Sequence, residues 1–192
     1  DSGGLRFRIP VAAPLQSDQA VLPVDPYLYG YWLGNGCATK PEITIRTCDI
    51  NEVLDQIPYE VSSSWANVGD SFIFRIPALK YILLSSHKDK KIEAAYLRAS
   101  KDQRCRLLNG LMDSDGCIGT RKGQAVYCST VLELSETVRE LLWSLGMKNN
   151  MTSSPSTRYG KPTGETLYTV RFTAFNDEEI AGLHRKQENA VS

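Results

Sequence analysis

An α+β fold made of two similar halves is predicted by three features of this sequence. A nonapeptide, LYGYWLGNG at 28–36, returns as LNGLMDSDG at 108–116, with Leu, Gly, an apolar pair, a small residue and a closing Gly at matching places. Each copy is followed by stretches in which β-branched residues alternate with polar ones, the period of a half-buried strand. Helix-start chemistry precedes each copy: Asp25-Pro26 in the first and a Ser100-x-x-Gln103 capping box in the second. The halves are bounded at 25–99 and 100–192, with 1–24 as an extension or linker from a longer host chain.

The elements follow in order. A first helix runs from Pro26 to about Gly34 and stops at Asn35-Gly36. A strand comes next at 42–47 (EITIRT), then a short amphipathic helix at 49–57 (DINEVLDQI) with Asp49 as its cap. YEVSSSW and DSFIFRI form two strands about a turn at Val68-Gly69, and ALKYILLSSH at 78–87 closes the half as a helix. In the second half the capping box opens a helix through RCRLLNGLMDS, followed by a hairpin with the turn RKGQ and the strand AVYCST. LELSETVRELLWSLG is an amphipathic helix with Gly146 at its C-cap. A strand near 149–154, the turn YGKPTGE, the strand TLYTVRFTA and a final helical segment DEEIAGLHRKQ complete the half. Helix, two strands, helix, two strands, helix is the order inferred for each half.

Composition excludes several functions. The 192 residues hold 42% apolar and 23% charged residues, ordinary for a globular protein long enough to bury a core. No apolar run approaches 18 residues, so no membrane span is expected. The start, DSGGLRFRIP, has neither a basic n-region nor an apolar h-region, so it does not read as a signal peptide. Five cysteines without a Cys-x-x-Cys pair read as reduced thiols of a cytoplasmic protein. Only two histidines, His87 and His184, are present, leaving little material for a His-based metal site or a Cys-His or Ser-His catalytic pair. Lys plus Arg balance Asp plus Glu at 22 each, which argues against nucleic acid on overall charge.

The repeated helices carry the functional signal. Gly30 and Gly34 in the first, and Gly110 and Ser114 in the second, are four apart and share one helix face. Small residues there let two backbones approach closely, so the two helices are expected to pack on each other along a pseudo-twofold axis. Their C-terminal ends then lie side by side, with Asn35 beside Asp115. Acidic groups at the negative end of a helix do not favour stability, whereas divalent cations would draw them there. A lone Asp-Gly reads first as a turn or helix stop; the duplication is what favours a site.

Both nonapeptides resemble the repeated motif of LAGLIDADG homing endonucleases, in the double-motif form found inside inteins. YLYGYWLGNG, KKIEAAYL and RLLNGLMDSDG fall in the order and spacing of an intein's endonuclease blocks. The resemblance implies two αββαββα halves with the motif helices at their interface and antiparallel sheets forming a saddle over the DNA major groove. It makes the eighth motif residue of each copy, Asn35 and Asp115, the metal-binding positions, with Gly34 and Ser114 beside them and Mg²⁺ or Mn²⁺ as the cofactor. It also implies a lysine near each centre: Lys90 by its place in the central block, and Lys186 on position alone, each otherwise a solvated surface charge. RIPVAAPL, LPVDPYL and IEAAYLRAS are similar to inteins of bacterial replicative helicases. The implied partners are double-stranded DNA at the insertion site and a splicing domain in cis, with two motifs in one chain making a monomer sufficient. Asp1 and the ending ENAVS supply none of the splicing groups, so this stretch is not expected to splice by itself.

Two departures qualify that expectation. Asn35 replaces the first metal-binding acid, and an amide oxygen brings no charge to hold a divalent ion against water. In the central block Glu93 replaces a proline. From Cys37 to Pro77 three basic residues face six acids, net −3, whereas from Cys117 to Phe175 seven face four, net +3. Strand-borne Arg46, Arg75, Arg121, Lys122, Arg158 and Arg171, together with Lys161, are the candidates for DNA contact, some of them alternatively being solvated edge charges. The expectation is a metal-dependent DNA endonuclease domain impaired at Asn35. The alternatives are a non-cleaving DNA- or RNA-binding module of maturase or regulator type, and a relic scaffold retained for intein folding.

Overall fold

Asp25 begins the first motif helix, α1 (Pro26–Asn35), by accepting from the Tyr27 and Leu28 amides at 3.0 and 3.3 Å. Pro26 takes the first position, where a missing amide costs nothing. Every residue from Pro26 to Leu33 is buried, the mark of a helix surrounded by protein on all sides. Its counterpart α4 (Lys101–Asp115) opens with the expected capping box: Ser100 Oγ accepts from the Gln103 amide at 3.3 Å, and Gln103 Oε1 accepts from the Ser100 amide at 3.2 Å. The computed structural model describes residues 12–67, 69–119 and 124–173. Expectations for Arg121, Lys122, Lys186 and the last helical segment lie outside these residues.

One antiparallel sheet flanks each motif helix. The first has β1 (Glu42–Arg46), β2 (Ser62–Asn67) and β3 (Ser71–Arg75) in the order β1-β3-β2. The second has β4 (Gly116–Ile118), β5 (Gln124–Ser129), β6 (Asn149–Arg158) and β7 (Lys161–Thr173) in the order β4-β5-β7-β6. Alternation sets the faces: Ile43, Ile45, Ala125, Tyr127, Val170 and Phe172 are buried, whereas Arg46, Gln124 and Arg171, one place out of phase, are exposed. The amphipathic α5 (Leu132–Ser144) covers the inner face of the second sheet with Leu134, Val138, Leu141 and Leu142. It ends in a Schellman motif, with Gly146 at φ +76, Met147 N donating to Leu142 O at 2.8 Å and Gly146 N to Trp143 O at 2.9 Å. None of the five cysteines forms a disulfide. No described helix is long and apolar enough to cross a membrane.

The first half departs from the expected order. Where the second half has β4, the first has a single bridge from Gly36 to Ile43. Residues 37–41 join Gly36 to β1, with Cys37 N donating to Glu42 O at 2.9 Å, and the antiparallel pairing goes no further. Asp49 precedes α2 (Ile50–Asp55), but its side chain does not cap the helix; it is buried, and a 3₁₀ turn over Thr47–Asp49 leads in. The segment 78–87 is not an α-helix. A 3₁₀ turn over Pro77–Ile82 buries Leu79 and Ile82 at the three-residue spacing of that geometry, and a second turn, His87–Asp89, precedes the short α3 (Ala94–Leu97). In the second half the expected broad turn at 159–165 shrinks to Tyr159 and Gly160, at φ 52 and 75, the two positive values of a type I′ hairpin. Both strands therefore continue through what had read as a loop.

Residues 12–24, expected as a linker, lie along the second half. Leu15 N donates to Ser144 O at 2.9 Å, and Gln103 brackets Ala20, its Oε1 accepting from Ala20 N at 2.9 Å and its Nε2 donating to Ala20 O at 2.8 Å. The guanidinium of Arg104, 1% exposed, donates to Ala99 O at 3.0 Å, to Ser144 O at 2.7 Å and to Leu15 O. Three carbonyls, rather than an acid, hold this cation.

Candidate metal and nucleic-acid site

Backbone contact between α1 and α4 builds the site. A Cβ on Gly30 would strike Leu107 O and come within 2.9 Å of Leu111 N. A Cβ on Gly110 would strike Tyr27 O and come within 2.8 Å of Tyr31 N. The two sets of atoms are each other's images, 80 positions apart, as a pseudo-twofold crossing requires. One turn on, Gly34 faces Ser114, whose Oγ bonds back to Leu111 O at 2.9 Å. Asp115 Oδ2 lies 2.9 Å from where a Gly34 Cβ would stand, so this carboxylate reaches across to the end of α1. Both helices leave through extended glycines, Gly36 and Gly116. Asn35 and Asp115 are therefore matching last residues of crossed helices.

Tyr31, one turn before Asn35, donates its hydroxyl to Thr44 O at 3.3 Å. Burial pushes that phenol well up, and the charges of Asp49, Asp113 and Asp115 add to the effect. Asp113 is buried two residues from Asp115 and accepts from Tyr27 Oη at 2.9 Å. Sequence reasoning passed over Asp113 and read Asp49 only as a helix cap; nothing in their local pattern marks them as buried.

Lys90 is placed close by, in a manner the sequence did not reveal. It is fully buried, and its Nζ donates to Trp32 O at 2.9 Å, Leu33 O at 3.0 Å and Gly36 O at 2.8 Å. Neither a solvated charge nor a lysine reaching toward solvent, it caps the C-terminal carbonyls of α1 with all three donors engaged. Burial draws its pKa down to about 8, while the nearby Asp115 charge pulls it back up.

The donor set around Asn35 and Asp115 is oxygen only, which suits a hard cation such as Mg²⁺ or Mn²⁺. It holds one carboxylate beside a buried ammonium, so the residues fit a single, weakly held ion rather than a pair. Among the described residues no group of three or more His, Cys, Asp or Glu side chains is arranged to hold a metal.

The expected DNA contacts divide between the sheets. Arg46 pairs with Asp70 at 3.6 Å, and Arg75 with Glu42 at 2.9 Å. Arg171 lies on the outer face of the second sheet, its Nη1 donating to Thr152 Oγ1 at 2.9 Å. Arg158 and Lys161 flank the tip of the β6–β7 hairpin and are exposed.

Residues 102–178 match the LAGLIDADG-like domain family. The replicative DNA helicase DnaB of Mycobacterium intracellulare is 32% identical over 163 residues, covering 85% of this chain and 26% of that helicase. The chain thus spans about a quarter of the curated relative it matches. The homing endonuclease I-DmoI, solved with DNA and Mn, shares the fold at a TM-score of 0.51 and 14% identity, over 79% of this chain and 89% of the other. The same protein with DNA and Ca matches at 0.52 and 12%, over 86% and 96%.

Proposed function

Residues 102–178 belong to the LAGLIDADG-like family and the chain has the homing-endonuclease fold; on that premise we propose that it is the DNA-recognising endonuclease domain of an intein in a replicative helicase, with its cleavage centre impaired. The observation that carries this reading is the reach of Asp115 across the glycine crossing to Gly34, next to Asn35, the matching last residue of α1. The scaffold needed to bring two acids together is intact, and one of the acids is an amide. The helicase match supports an intein host and the insertion site in its gene as the target, and solved I-DmoI complexes with DNA and Mn or Ca support use of a divalent ion.

Asp115 and the Asn35 amide oxygen, beside Gly34 and Ser114, would hold the cation, which supplies charge to a phosphodiester and acidifies water. Asp115 would face the cation from the end of α4, and the nearby Lys90 ammonium would offset part of its charge. With Asp in place of Asn35 the local charge would be one unit more negative, which favours cation binding. A single carboxylate is expected to leave cleavage absent or limited to a nick in one strand. The paired arginines of the first sheet favour a second reading, a scaffold kept for the folding of its host.

Incubating supercoiled plasmid bearing the uninterrupted insertion site with Mg²⁺ or Mn²⁺ tests the proposal. Asn35→Asp should linearise the plasmid while the native chain nicks it or leaves it intact, and Asp115→Asn should abolish either activity. If Asn35→Asp neither cuts nor binds the site better than random duplex, the scaffold reading stands instead.

A further inference from the structure

Resting on the DNA-binding reading above, we infer that this chain reads duplex DNA through its second half, and that acids on the first sheet keep the first half from gripping the same duplex. Register sets Glu42 opposite Arg75, and Arg46 opposite Ser71, next to Asp70. Arg75 is engaged by Glu42 of its own sheet at 2.9 Å, and Arg46 by Asp70, just before β3, at 3.6 Å. Exposed pairs of this kind add little to stability; what they change is the field. A phosphate nearing either guanidinium meets a carboxylate with it, in a segment that is net −3 between Cys37 and Pro77.

The second sheet has the opposite character. Its outward residues beside β5 include Gln124, Asn150, Thr152 and Arg171, and the arginine is oriented by Thr152 rather than engaged by an acid. Beyond Tyr168, where pairing with β5 ends, β6 and β7 continue alone as a two-stranded ribbon to Tyr159 and Gly160. From Ser153 to the tip this is about 20 Å at a strand rise of ~3.3 Å per residue. The B-DNA major groove, ~12 Å wide, admits such a ribbon, and the length spans roughly six base pairs at ~3.4 Å each. An irregularity between Pro155 and Thr157, with Gly164 at φ +81, adds the twist needed to follow a groove. Arg158 and Lys161 flank the tip, and the ribbon's acid, Glu165, lines a cavity away from the tip with His87, Lys88, Glu133 and Glu136. Charge and shape together suit a groove of double-stranded DNA.

Hydroxyl-radical footprinting on a synthetic duplex of the uninterrupted helicase-gene junction tests this, with salt-titrated binding of the full chain alongside. The native chain should protect one side of the junction. Arg158→Ala with Lys161→Ala should weaken binding about tenfold and flatten the slope of log K against log salt by about 2, with circular dichroism unchanged. Glu42→Gln with Asp70→Asn should extend protection across the junction. Equal protection on both sides by the native chain, an unchanged salt slope, or a footprint that stays one-sided after the acids are removed would overturn this inference and leave the DNA-binding reading intact. Binding no tighter than to random-sequence duplex would overturn both.

Discussion

Replacing Gly110 with Ala sets two effects of opposite sign against each other. In a free helix the change gains about 1 kcal/mol from propensity. At this crossing the added methyl would run into Tyr27 O and stand 2.8 Å from Tyr31 N and 3.0 Å from Tyr27 C. These are backbone atoms of a fully buried helix and cannot rotate aside, so α1 and α4 must separate. Overpacking costs about 1–3 kcal/mol, and rigid backbone on both sides puts this case at the upper end. The net expectation is a loss of about 2 kcal/mol. Gly30 faces the same crossing from the other side, so one separation of the helices accommodates both methyls. Gly30→Ala with Gly110→Ala should therefore cost about as much as either single change, a coupling of roughly 2 kcal/mol. Urea unfolding of the four proteins measures this directly. A stabilised Gly110→Ala, or strictly additive losses, would refute the argument that backbone proximity fixes these glycines.

Lys90→Met removes three hydrogen bonds at the end of α1 and should lower stability by about 2–4 kcal/mol at pH 7, read by denaturant midpoint. The pH dependence has a definite sign. Lys90 falls from its ordinary 10.5 to about 8 in the folded chain, so between those values the unfolded chain holds more protons and native stability rises with pH. The gap between the native chain and Lys90→Met should widen from pH 8 to pH 10; a constant gap would mean that burial does not set this pKa. Arg104→Met removes the cation that joins Leu15 to Ala99 and Ser144, and should expose 12–24 to limited proteolysis with a loss of about 2–4 kcal/mol. Cleavage no faster than in the native chain would show that Gln103 and apolar contacts suffice to hold the segment.

Much of the architecture was legible because it rests on local signals. Asp25-Pro26, the Ser100–Gln103 box, Gly146 and the alternation in EITIR and QAVYCS each act within a few residues, and the corresponding caps and strands are present. Misreadings arose where local cues compete. KPTGE holds the residues of a turn, yet the type I′ geometry at Tyr159-Gly160 takes the reversal and leaves KPTGE in strand. ALKYILLSSH has helical composition, but burial of Leu79 and Ile82 at a spacing of three is met by a tighter turn.

By itself the sequence determined the duplication, the close crossing of two glycine-bearing helices and the Asn and Asp at their matching ends, because residue types at fixed spacing encode all three. Tertiary structure alone decided which charges have partners. Lys90 meets carbonyls 54 to 58 positions away, Arg104 reaches Leu15 across 89, and Arg75 finds Glu42 across 33. In the sequence each is one more cation in a polar stretch. A side chain's charge is written locally, but the desolvation and partners that determine its effect come from whatever the fold packs against it.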